Sequence, residues 1–152
     1  MNAVTELSIE SLGAPLAAIL APHPVALAYL FGSAAAGRLT PFSDVDIALV
    51  VDETRPLSVS RLRFELEIED ELAARCGLSM ADVRVINTAP LLLRGEVVTH
   101  GRLLFARDPE TRIEFETRTR MEYFDFLPAA ELHRKAFFEN VRQRGLSGQR
   151  GK

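Results

Sequence analysis

Two aspartates one residue apart open an otherwise apolar run, Asp44-Val45-Asp46-Ile47-Ala48-Leu49-Val50-Val51. Side chains alternate in a strand, so Val45, Ile47, Leu49 and Val51 share one face suited to a core, and Asp44 and Asp46 share the other. Two residues of rise set the two carboxylates about 7 Å apart. At an effective dielectric near 20 they repel by roughly 2 kcal/mol. No Lys or Arg stands between them in the chain. A divalent cation turns that repulsion into attraction, and hard oxygen ligands suit magnesium, which commonly takes one or two carboxylates plus substrate phosphates. An isolated Asp-x-Asp would be read simply as acids facing water. This one is preceded by Phe31-Gly32-Ser33-Ala34-Ala35-Ala36-Gly37 at the end of another apolar run. Glycine admits close backbone approach, free N–H groups of a turn or helix start attract anions, and the Ser33 hydroxyl can bond a phosphate oxygen. Gly37 and Ser43 complete the short span between cradle and acid pair. Arg38 is placed to reach a triphosphate, although a solvated loop arginine accounts for it equally well. The Ala34-Ala35-Ala36 turn offers no side-chain donors, so phosphate contacts there fall to the backbone and Ser33.

The elements that must position these residues follow from periodicity and punctuation. Residues 4–21 carry a helical pattern that Pro15 can split. Val25 to Phe31, between Pro24 and Gly32, reads as a buried strand, and Asp44 to Val51 as a second. Residues 58–76 form the clearest helix, with Val59, Leu62, Leu66, Leu72, Ala73 and Cys76 as its expected apolar stripe and Gly77 as its end. Ala81 to Asn87 is a third strand with Val83 and Val85 inward. Leu91 to Val98 is a short helix closed by Gly101, and Arg102 to Ala106 a fourth strand. Asp108-Pro109 is a helix start. The helix it opens has pairs at i and i+4 (Arg112 with Glu116, Glu114 with Arg118, Arg118 with Glu122) and is expected to break at Pro128. Glu131 to Arg144 reads as a last helix, and the stretch from Gly145 as a disordered tail.

The chain has 152 residues, 47% hydrophobic and 26% charged, which suits one domain, 1–144, with the tail 145–152. A net charge of −3 disfavours nucleic acid as the main substrate, because phosphate neutralisation needs clustered positive charge. The single cysteine, Cys76, excludes an internal disulfide and suits core filling in a reducing cytoplasm. The first ten residues lack a basic start followed by an apolar stretch, so no signal peptide is expected. No apolar run approaches the ~20 residues of a membrane span. His23, His100 and His133 have no metal-ligand spacing.

The Gly-Ser strand end followed by Asp-x-Asp on the next strand resembles the signature of the DNA polymerase β-like nucleotidyltransferase superfamily. Gly32, Ser33, Gly37, Ser43, Asp44 and Asp46 match it residue by residue. The short length, the Tyr29-to-Ser33 opening and the Ala81-to-Asn87 strand look like its minimal nucleotidyltransferases. Gly101-Arg102-Leu103-Leu104-Phe105 and Tyr123-Phe124-Asp125-Phe126 are similar to the MntA branch. The resemblance implies an α+β (mixed α/β) fold, with a sheet of about four or five strands and helices mainly on one face. It implies a third metal-binding and catalytic carboxylate on a later strand, at Asp82, which either lowers the pKa of the attacking hydroxyl or accepts its proton. Arg84 shares the face of Asp82 and could contact a phosphate or pair with an acid. Two Mg2+ ions would be held by Asp44, Asp46 and Asp82, with ATP as substrate. The branch further implies an adenylyltransferase antitoxin that moves AMP onto a tyrosine of a cognate HEPN ribonuclease toxin. Two alternatives stand beside it: a small-molecule nucleotidyltransferase of the aminoglycoside type, and a non-catalytic antitoxin that acts by contact alone.

Overall fold

The computed structural model describes residues 9–32, 35 and 44–148. Among the described residues four helices and four strands follow in the order α1 (Ile9–Leu20), β1 (Val25–Phe31), β2 (Val45–Val51), α2 (Arg61–Cys76), β3 (Ala81–Val85), α3 (Leu91–His100), β4 (Arg102–Ala106) and α4 (Pro109–Gly148). The strands form one mixed sheet in the order β3-β2-β1-β4. β1 is antiparallel to both β2 and β4, whereas β2 and β3 are parallel and joined through α2. A parallel pair needs such a crossover, because a tight turn can only reverse the chain.

Alternation along the strands divides the core in two. Val45, Ile47, Leu49, Val83 and Val85 join Leu12, Leu16, Phe64, Ile68 and Leu72 of α1 and α2. Leu27, Tyr29, Ala48 and Val50 face the opposite way and pack with Val97 of α3, flanked by Leu93 and Phe115. Helices therefore cover both faces, not mainly one as expected. Both the odd and the even positions of β1 are buried, and each face needs a cover.

Three local expectations are corrected. α1 runs unbroken through Pro15, and α4 runs unbroken through Pro128 and on to Gly148, into the stretch read as the tail. A proline removes one backbone donor and frees the carbonyl four residues back. At Pro128 that carbonyl belongs to Phe124, an exposed residue that water can reach. In α2 the buried stripe is Phe64, Ile68 and Leu72, while Leu62 and Leu66 are exposed. Spacing at i, i+4 and i+8 also fits the stripe that was buried, and that stripe carries the bulkier Phe and Ile.

The caps follow their local chemistry. Ser60 accepts from the Arg63 amide at the start of α2. Asp108 accepts from the Glu110 amide and the Thr111 hydroxyl at the start of α4. Of the expected surface pairs, Arg112–Glu116 and Arg118–Glu114 form, while Glu122 lies 3.9 Å from Arg94 of α3. Among the described residues no helix is long and apolar enough to cross a membrane.

Candidate active site

β1 ends at Phe31, which pairs with Asp46 in the antiparallel ladder, and Gly32 follows. Gly32 has φ +75°, a conformation that costs an L side chain strain. A β-carbon at this position would stand 2.6 Å from Oδ2 of Asp46. The glycine thus serves two needs at once, the left-handed backbone and space for the carboxylate.

On the other side of β2, Asp46 is the register partner of Asp82 in the parallel ladder. The two acids emerge from neighbouring strands on the same face. They sit where the face carrying Ala48 and Val50 runs out of covering side chains: Asp46 is half-buried and Asp44, one residue before β2, is exposed. Burial pushes the Asp46 carboxyl above its usual range; Asp82 adds to this, Arg84 opposes it, and Asp44 adds to it again. Arg84 reaches Asp82 Oδ2 at 3.4 Å, so of the two expected roles it takes the pairing one in this state.

β3 is an edge strand, and α2 completes it. Glu69 accepts from the Val83 amide and Glu65 from the Val85 amide, both at 2.9 Å. These outward N–H groups would otherwise be open ladder positions. Their pairing fixes the strand that carries Asp82. On the opposite edge, Arg102 of β4 donates through Nε to the Ala35 carbonyl at 2.9 Å and so anchors that residue. Sequence reasoning missed all three residues. Glu65 and Glu69 lie at i and i+4 on a helix, a spacing that reads equally well as a solvated face.

Gly32, Asp44, Asp46 and Asp82 are therefore gathered at one end of β1, β2 and β3. Ser33, Gly37, Arg38 and Ser43 lie outside the described residues. Among the described residues no group of three or more His, Cys, Asp or Glu is close enough to hold a metal ion by itself. The donor set fits a cation that takes one or two carboxylates and fills its remaining positions with substrate oxygens. The raised Asp46 carboxyl fits the same reading, since a cation would relieve the crowding of acids. A cleft of about 670 Å³ opens at the opposite strand ends, lined among others by Asp52, Asn87, Arg107 and Phe115. Its acids, Asp52, Glu53, Asp108 and Glu114, stand among the cations Arg94, Arg107 and Arg118, and Arg107 there is committed to the carbonyls of Leu20, Ala21, His23 and Val25.

The sequence model of the polymerase beta nucleotidyltransferase family matches residues 15–110. No curated protein sequence matches the chain significantly. Among solved structures, a toxin–antitoxin complex with AMP-PNP superposes with a TM-score of 0.63 at 23% identity, over 84% of this chain and 96% of that one. A tri-AMPylated Shewanella oneidensis HEPN toxin in complex with its MNT antitoxin gives 0.61 at 21% identity, over 88% and 98%. A variant of the toxin–antitoxin pair MntA–HpeT, with aspartates replaced by glutamate at two positions two residues apart, gives 0.63 at 20% identity, over 90% and 99%. At these identities the likeness is one of fold.

Proposed function

The chain belongs to the polymerase beta nucleotidyltransferase family, and from that premise we propose that it is a protein adenylyltransferase antitoxin, moving AMP from ATP onto a tyrosine hydroxyl of a cognate HEPN toxin. The observation that carries the reading is the register of Asp46 with Asp82 beside the side-chain-free Gly32. It supports a site where a triphosphate lies against backbone while carboxylates gather at the transferred phosphorus. The choice of acceptor rests on the fold shared with antitoxins solved beside their toxins, one of them AMPylated.

In this mechanism Asp44, Asp46 and Asp82 would hold magnesium, which when bound neutralises phosphate charge and stabilises the entering and leaving oxygens. The residues of the chain do the positioning. Gly32 lets the backbone approach the β- and γ-phosphates, with Ser33 as hydroxyl donor. Arg102 anchors Ala35, three residues after Gly32 in the chain. Glu65 and Glu69 hold β3, so that Asp82 meets the acceptor from a fixed strand. The tyrosine oxygen attacks the α-phosphorus in line, its proton passes to Asp82, and the bond to pyrophosphate breaks. Orientation and preorganised charge supply most of the acceleration in such transfers.

Co-expression with a cognate HEPN toxin, followed by intact mass spectrometry, tests the reading. The toxin should gain one or more AMP units on tyrosine, and the gain should vanish when Asp44 and Asp46 are both replaced by Asn. An unmodified toxin that is nonetheless silenced in a tight complex would favour neutralisation by contact. AMP transfer from labelled ATP to a small molecule, but never to the toxin, would favour the aminoglycoside-type alternative.

A further inference from the structure

α4 is amphipathic in an unusual sense. The side it turns to the domain buries Glu116 and Thr119 together with Tyr123. The side it turns outward carries Ile113, Met121, Phe124 and Leu132, which are 63%, 65%, 54% and 70% exposed. At 100° per residue these four, with Pro128 between them, fall within about 100° of arc. Single exposed apolar residues are ordinary on a protein surface. Here four of the ten large exposed hydrophobics among the described residues share one side of one helix. A contiguous stripe of that kind marks a surface that another molecule covers.

The second half of the helix sharpens the point. Every described side chain from Pro128 to Arg142 is exposed. A helical segment without tertiary packing is marginal in water, and an internal proline weakens it further. Charge then selects the occupant. Residues 109–127 hold five acids against three bases, a net −2, whereas residues 128–148 hold two acids against four bases, a net +2. A second copy laid antiparallel along the stripe sets each acidic half against a basic half. A parallel copy would set like against like. A two-fold axis near the middle of α4 satisfies both copies with one contact, as an isologous interface requires.

We propose that the outward stripe of α4 is the interface through which two copies of this chain pair antiparallel. The inference is independent of the catalytic reading. Light scattering on the full chain, eluted from a sizing column over a dilution series, should give the mass of two chains. Met121→Glu with Phe124→Glu should give the mass of one chain and an unchanged circular dichroism spectrum of the domain. Lys135→Glu with Arg142→Glu should weaken pairing, and Glu110→Lys with Glu114→Lys added to the same chain should restore it. Hydrogen exchange on the unaltered chain gives a check free of variants: amides in 128–142 should be protected at high concentration and lose protection on dilution. A single-chain mass throughout, with exchange indifferent to dilution, overturns the proposal. So does a monomer whose Phe124→Glu variant loses only its grip on the toxin, which would assign the stripe to that partner instead.

Discussion

The missing side chain of Gly32 leaves room for Oδ2 of Asp46, which would stand 2.6 Å from any β-carbon placed there. Because Gly32 also has φ +75°, substitution strains the backbone and displaces the carboxylate together. Gly32→Val should therefore abolish AMP transfer, whereas Ser33→Ala should lose one hydrogen bond, of order 1–2 kcal/mol. Single-turnover assays of both variants check the order; greater damage from Ser33→Ala would rule out the backbone cradle.

Asp46 has its carboxyl raised above the ordinary value of 3.8, first by burial and then by Asp82. A raised folded pKa favours the protonated form, so the stabilising contribution is complete below about pH 3.8 and is lost as pH climbs through the raised value. Asp46→Asn escapes that loss. In buffer with a chelator its Tm should exceed that of the unaltered protein at neutral pH, and the gap should close towards pH 3. The same variant should be inactive in transfer. Near-normal transfer by Asp46→Asn would remove Asp46 from the site.

Glu65 and Glu69 hold the outer edge of β3 through the amides of Val85 and Val83. Glu65→Ala with Glu69→Ala should cost about 1.5–3 kcal/mol per lost bond, because each acceptor is a charged carboxylate. It should also lower kcat, because Asp82 loses its fixed strand. Amide exchange at Val83 and Val85 should quicken well before global unfolding. Unchanged exchange would mean that the strand is held by β2 alone.

Arg102 donates to the carbonyl of Ala35, three residues after Gly32 in the chain. Arg102→Met removes a bond from a charged donor, which is worth about 1.5–3 kcal/mol. KM for ATP should rise by about tenfold or more, and Arg102→Lys should recover part of it. A Tm loss with KM unmoved would confine Arg102 to stability.

Gly95 of α3 lies directly under the ring of Tyr123, where a β-carbon would overlap Cδ1 and Cγ, and the Tyr123 hydroxyl donates to Glu96 at 2.8 Å. Gly95→Ala should lower stability by about 1–3 kcal/mol despite the better helix former. The cost should shrink in a Tyr123→Leu background, which thermal melts of the four proteins in the cycle would show. Additive losses would place the two residues out of contact.

The sequence by itself determined what is local. β1 and β4 stand where their apolar runs end, at Val25–Phe31 and Arg102–Ala106. The alternation in β2 puts Asp46 opposite in direction to Val45, Ile47 and Leu49, because a strand has a period of two whatever surrounds it. Gly32 at a strand end and Asp46 on the next strand, with Asp44 just before it, were legible for the same reason. Only the tertiary structure decided that Asp46 meets Asp82, since the register of two parallel strands depends on how α2 packs between them and not on either strand alone. It also decided that helices cover both faces, that Phe64 and Ile68 of α2 are buried in place of Leu62 and Leu66, and that α4 passes through Pro128. Each is settled by which surfaces find partners and which groups water can reach, and neither is written in a window of neighbouring residues. The edge bonds of Glu65 and Glu69 belong to the same class: their i, i+4 spacing is a helix property, but the strand they complete lies 14 to 20 residues further along the chain.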